Sequence, residues 1–197
     1  AKLWRDFQRA VQVHLNMEEY DLFPLLEQIS GGAVSSAGLH DLHTADHDNY
    51  HAVNSLISAE SPDVAQLQSA YESWKAFHID HFVKEETVMM PVTMKTAPTP
   101  SARCVVAHET LICTALAREE AEFSFFVSWC VAMLSRHGSA QQAPNVATRV
   151  FVRALRSACS SEQWARLMPS IKVSCDPAIW AEMLDKYAIE QADSIVT

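Results

Sequence analysis

Apolar residues recur at three- and four-residue spacings along most of the chain, the period of an amphipathic helix and not of a strand. The spacing predicts a first helix over about 2–29, with Trp4, Phe7, Val11, His14, Glu18, Leu22 and Leu25 on one stripe. A Ser/Gly stretch over 30–36 reads as a loop. A second helix follows over about 38–59, with Leu39, His43, His47, Tyr50 and Ile57 on one face. Ser61 and Pro62 suit the N-cap and first turn of a third helix, over about 63–94. Its stripe is Leu67, Tyr71, Trp74, His78, His81, Glu85 and Val88. The segment Thr96-Ala97-Pro98-Thr99-Pro100-Ser101 is a stiff linker. Beyond it the pattern predicts a long helix or helix pair over 102–136, then helices over about 145–158, 161–171 and 177–192. Ser160 with Gln163 matches a capping box, and Asp176-Pro177 a cap and first turn. The expected class is all-α. Residues 1–95 would supply three helices of an up-down four-helix bundle, 102–136 would complete it, and 145–197 would be a C-terminal helical extension.

Composition agrees with this pattern and removes some alternatives. A chain of 197 residues with 49% hydrophobic and 20% charged residues can bury a core without staples. Four glycines against eight prolines argue against turn-rich β architectures. A net charge of −9 disfavours nucleic acid and anionic membrane as partners. The longest apolar run, Phe123 to Leu134, is too short to span a bilayer, so no transmembrane segment is expected. No secretory signal is visible. The five cysteines form no C-x-x-C pair and read as reduced thiols, which suits a soluble intracellular protein.

The informative feature is an internal repeat. His14-x-x-x-Glu18-Glu19-x-x-x-x-Pro24 recurs as His81-x-x-x-Glu85-Glu86-x-x-x-x-Pro91. Trp4 aligns with Tyr71 and Phe7 with Trp74 upstream, without a gap. Residues four apart stack on one face of a helix, so each string sets an imidazole beside a carboxylate. Both pairs lie on apolar stripes, where a carboxylate is costly unless paired or metal-bound. Two such helices face to face would supply the donors of a dinuclear metal site in a helical bundle. Nitrogen and oxygen donors without thiolate suit iron or manganese, and zinc fits the same set. The competing reading is two ordinary i,i+4 ion pairs, and the in-register duplication on apolar stripes argues against it.

The second helix carries His40, His43, His47 and His51. His47 is the expected ligand, with His43 and His51 one turn away on either side. His108, in His108-Glu109-Thr110-Leu111, resembles the His47-Asp48-Asn49-Tyr50 string and would fill the fourth corner. His78 is an extra ligand or a hydrogen-bond partner, and His137 is expected in solvent. Tyr20, Tyr50 and Tyr71 are candidate pocket donors. Glu19 and Glu86 are expected to pair with bases or water.

These strings resemble the hemerythrin-like (HHE cation-binding) family over about residues 1–120. The resemblance implies an up-down four-helix bundle, permuted or lacking its first helix, around two non-haem iron ions. It implies Glu18 and Glu85 as bridging carboxylates, with His14, His47, His81 and His108 as terminal ligands. Implied ligands are dioxygen, another diatomic or peroxide, for oxygen or iron binding or sensing. An oxidoreductase acting on peroxide or nitric oxide on the same site is a second expectation. A third is a helical interaction module with a degenerate site, meeting a second copy or a partner protein through its C-terminal helices. The aromatics Phe123, Phe125, Phe126, Trp129, Trp164 and Trp180 are spaced as helix core.

Overall fold

A computed structural model of the protein describes residues 2–61, 63–99, 102–103, 113–139 and 142–187. The described residues are helical, with no strand among them. None of their helices is long and apolar enough to cross a membrane. The helices are α1 (Lys2–Met17), α2 (Phe23–Ser30), α3 (Ala33–Ala37), α4 (Leu39–Ile57), α5 (Val64–Thr96), α6 (Cys113–His137), α7 (Pro144–Ala158), α8 (Ser161–Ser174) and α9 (Pro177–Tyr187). They fall into two compact units, residues 22–99 and residues 1–21 with 100–197.

The predicted first helix is helical to Ser30, but with a π-helical turn at Glu18–Leu22 between α1 and α2. The wide turn falls just before Pro24, which has no N–H to offer the Tyr20 carbonyl of an α-helix. Gly31 then ends α2 in the left-handed region, at φ 69°. The expected loop over 30–36 in fact contains the short α3. Its Val34 and Ser35 amides donate to Glu27 at 2.9 and 3.1 Å.

In the 22–99 unit, Phe23, Leu26, Val34 and Leu39 form an apolar floor, with Leu42, Val88, Met89 and Val92 against it. The N-cap of α5 is Asp63, not the predicted Ser61. Its carboxylate accepts from the Ala65 and Gln66 amides at 2.9 and 3.1 Å. Asp63→Ala should lower stability by about 1 kcal/mol, read as a fall in denaturation midpoint. Helix α5 runs through Pro91 to Thr96, two residues beyond the predicted end. Loss of one hydrogen bond near the end of a 33-residue helix is offset by the packing of Val88, Met89 and Val92. Contacts of α4 with α5 descend one helix as they ascend the other, from His43–Glu85 to Tyr50–Trp74, so the two are an antiparallel hairpin.

In the other unit, Val13 and Met17 of α1 share a core with Phe123, Val127 and Val131 of α6. Val152 and Leu155 of α7, Trp164, Leu167 and Ile171 of α8, and Trp180 and Met183 of α9 complete it. The predicted capping box at Ser160 and Gln163 is formed, and Asp176 caps α9 through the Ala178 and Ile179 amides. Arg9 makes a bidentate pair with Glu122, both bonds at 2.7 Å, and lies over the Phe125 ring. Burial pushes the Cys130 thiol up to about 12, and burial with the neighbouring Asp176 takes Cys175 to about 11. Both therefore stay protonated and poorly nucleophilic at neutral pH.

Candidate metal centre

The hairpin of α4 and α5 concentrates the chemistry of the 22–99 unit. Helix α4 buries Leu39, His43, Asp46 and Val53. Helix α5 buries Trp74, His81 and Glu85. The two polar sets meet at the same level. His43 Nε2 and His81 Nε2 each lie 2.8 Å from Glu85 Oε1. One carboxylate oxygen thus accepts from two imidazoles, and all three residues are buried. Phe23 stacks on His43 with centroids 4.8 Å apart, and the two imidazoles meet edge to face at 4.9 Å. These contacts fix both rings.

One turn along, a second polar group forms around Asp46, which is only 1% exposed. Its Oδ1 accepts from Trp74 Nε1 at 3.0 Å. Its Oδ2 is 2.6 Å from His78 Nδ1 and 3.4 Å from His81 Nδ1. The first distance is a short charge-assisted hydrogen bond. The second is an ion-pair distance without a well-formed bond, and His81 Nδ1 is buried with no hydrogen-bond partner. His81 therefore turns one ring nitrogen to Glu85 and the other to Asp46.

Charge follows geometry. Burial disfavours the His81 cation, but the Asp46 carboxylate at 3.4 Å and the hydrogen bond to Glu85 outweigh it and raise the group to about 9. Burial likewise opposes ionisation of Glu85, yet its bonds to His43 and His81 bring it down to about 2. Asp46 is also held well below the usual carboxylate range, because His78 and His81 overcome its burial. In the metal-free protein the cluster is thus two carboxylates around a protonated His81.

Two donor sets have their ligand atoms within 4.8 Å of one another in this unit: His43, His81 and Glu85, and Asp46, His78 and His81. The donors are nitrogen and oxygen only, which suits a first-row divalent ion. Asp46 lies on the Nδ1 edge of the His81 ring, whose Nε2 faces Glu85.

Of the residues singled out in the sequence, His81 and Glu85 are in this cluster together. His47 is not: it is exposed, its Nε2 is 3.0 Å from His51 Nε2, and His43 occupies the buried position one turn earlier. His14 and Glu18 belong to the other unit, where they form an i,i+4 pair at 3.1 Å. The His14 ring stacks at 6.4 Å on Phe126. His108 lies outside the described residues. His78 is the partner of Asp46, and His137 is exposed. Tyr20 and Tyr71 are exposed, whereas Tyr50 packs on Trp74 and burial raises its hydroxyl to about 12.

Asp46 is the residue that sequence reasoning passed over. Helical angle was the available signal. Counting about 100° per residue from Leu39, Asp46 falls about 20° off that line and His47 about 80° off it. The run of four-residue steps from Leu39 through His43 to His47 drifts away from the core face, and the step of three to Asp46 returns to it.

No family model, curated protein or solved structure matches this chain.

Proposed function

We propose that the protein is a metal-binding helical protein of hemerythrin-like type, holding non-haem iron in a four-helix bundle for oxygen or iron binding or sensing. One observation carries the reading: two buried imidazoles converge on one buried carboxylate oxygen, each at 2.8 Å. Burying that set is costly unless every charge is matched, and a divalent ion bound by all three donors matches them. His43, His81 and Glu85 would hold the ion, and Asp46 would set the His81 ring. The ion would supply a redox-active centre for a small diatomic or peroxide ligand. The chain supplies the rest: Phe23 and Leu39 help to keep the donors dry, and the hairpin fixes their spacing. The repeated pair His14 and Glu18 carries the dinuclear part of the proposal, through the duplication alone.

The test is the metal content of the protein as purified and after anaerobic Fe(II) loading and desalting, by elemental mass spectrometry. Wild type should carry iron, about two ions per chain in the dinuclear reading. A Glu18→Ala/Glu85→Ala variant should carry none. Wild type that retains no transition metal under either condition would overturn the proposal. A helical interaction module is the second reading. The observation in its favour is that α7, α8 and α9 contain no histidine and pack around Trp164 and Trp180. Metal-free protein, indistinguishable in stability from the variant, would select it.

A further inference from the structure

Asp46, His78 and His81 form a second place where donors converge, and the proposed function leaves it without a role beyond orienting one ring. If Asp46 served only to orient His81, its free oxygen would hold the His81 Nδ1 proton at ordinary hydrogen-bond distance. Instead Asp46 Oδ2 is committed to His78 Nδ1 at 2.6 Å, and its other oxygen to Trp74 at 3.0 Å. His81 Nδ1 is left 3.4 Å away, wholly buried and without a hydrogen bond. The ligand atoms of Asp46, His78 and His81 lie within 4.8 Å of one another, and the proton shared between Asp46 and His78 leaves His81 Nδ1 unsatisfied. A cation among them would serve all three.

We infer that Asp46, His78 and His81 bind a second divalent transition-metal ion, so that the His81 ring bridges two ions through its two nitrogens. This rests on the proposed role of His43, His81 and Glu85 as the first site. Both ions would then lie in the 22–99 unit, on opposite edges of one imidazole, in place of a dinuclear centre drawn from His14 and Glu18. On loading, the His81 ring gives up both of its nitrogen-bound protons to solvent and becomes a bridging imidazolate, while the protons on His43 Nε2 and His78 Nδ1 leave those atoms for the other nitrogen of the same ring or for solvent. Glu85 and Asp46, already ionised, supply one negative charge to each ion. His78 is 13% exposed at its side chain while Asp46 and His81 are at most 1%, so His78 is the access route for the second ion.

The experiment uses full-length protein with His14→Ala/Glu18→Ala, which removes the other repeat string from the count. The chelator-stripped chain is titrated with Co(II), desalted and analysed for metal, and a Cu(II)-loaded sample is examined by electron paramagnetic resonance. The expected result is two ions per chain and a Cu(II) signal well below that of two independent spins, because a shared imidazolate couples them. Adding His78→Ala, or His78→Gln should the alanine variant lose helicity by circular dichroism, should lower the count to one. The full uncoupled signal of that single ion should then return. One ion in the parent, unmoved by the His78 variants, would reduce Asp46 and His78 to orienting roles and overturn the inference. Two ions with uncoupled spins would overturn the bridge. No ion in the parent would overturn both this inference and the first site. A parent that holds a single ion, which survives Glu85→Ala and is lost with His78→Ala, would refute the first site and the bridge together.

Discussion

Glu85→Ala is expected to destabilise the metal-free 22–99 unit by about 3 to 5 kcal/mol, the usual loss when one member of a buried ion pair is removed. Glu85 Oε1 accepts from His43 and His81 at 2.8 Å each, and all three side chains are shielded from water. Without the carboxylate, a protonated His81 keeps only Asp46, at 3.4 Å. Either the cation stays buried and poorly paired, or it loses its proton and with it the attraction to Asp46. Both routes cost stability. Glu85→Gln keeps the shape and one acceptor oxygen, so its loss should be smaller. Glu86→Ala, on the exposed side of the same helix, should change stability by no more than about 0.5 kcal/mol. Hydrogen exchange of peptides covering α4 and α5 reads the effect in this unit alone. Loss of protection in Glu85→Ala no greater than in Glu86→Ala would mean that the buried network does not form. The alanine variant should also retain less Fe(II) than wild type after desalting.

The all-α class and most helix boundaries were legible because periodicity and caps are local signals. Ser160 with Gln163 and Asp176 before Pro177 cap helices where their spacing indicated. Asp63 displaced Ser61 as a cap because the carboxylate that reaches two amides decides the start, and both residues were plausible from composition. The third helix was expected to run past Pro91, and it does, because the packing of Val88, Met89 and Val92 offsets the one hydrogen bond the proline removes. The π-helical turn at Glu18–Leu22 had no sequence signal of its own beyond Pro24.

The candidate site divides in the same way. His81 and Glu85 stood out because an i,i+4 pair on an apolar stripe is local, and their joint burial follows the stripe. The choice between His43 and His47 was not local. Four-residue steps keep histidines in a row along the helix surface, but that row winds off the core face, and only the pairing with α5 says which rung is buried. Asp46 was hidden for the same reason, because an acidic residue reads as solvent-facing until its partners Trp74, His78 and His81 are known to lie on the other arm of the hairpin.

The metal-free protein should lose stability between about pH 6.5 and 9, and the metal-loaded protein should not. His81 rises from 6.5 in the unfolded chain to about 9 in the folded one. A raised group contributes stability that is fully present below 6.5 and lost as pH climbs through 9. Glu85 falls from 4.5 to about 2, so its contribution is fully present above 4.5 and lost as pH drops toward 2. These are two views of one ion pair and are not summed. The metal-free protein should be most stable between pH 4.5 and 6.5 and lose on the order of 3 kcal/mol on the alkaline side. Metal binding cancels that slope, because a ligand nitrogen must shed its proton before it can coordinate, and folded and unfolded chains then hold the same number of protons at His81 above pH 6.5. The stabilisation by a fixed excess of metal should therefore grow through the range in which the metal-free protein weakens. Thermal unfolding from pH 5 to 9, with chelator and with Fe(II) under nitrogen, separates the two curves. A flat chelated profile would mean that His81 is not held as a cation by Glu85 and Asp46. A metal-induced shift of equal size at every pH would mean that the histidines are not the ligands, since no proton would then leave on binding.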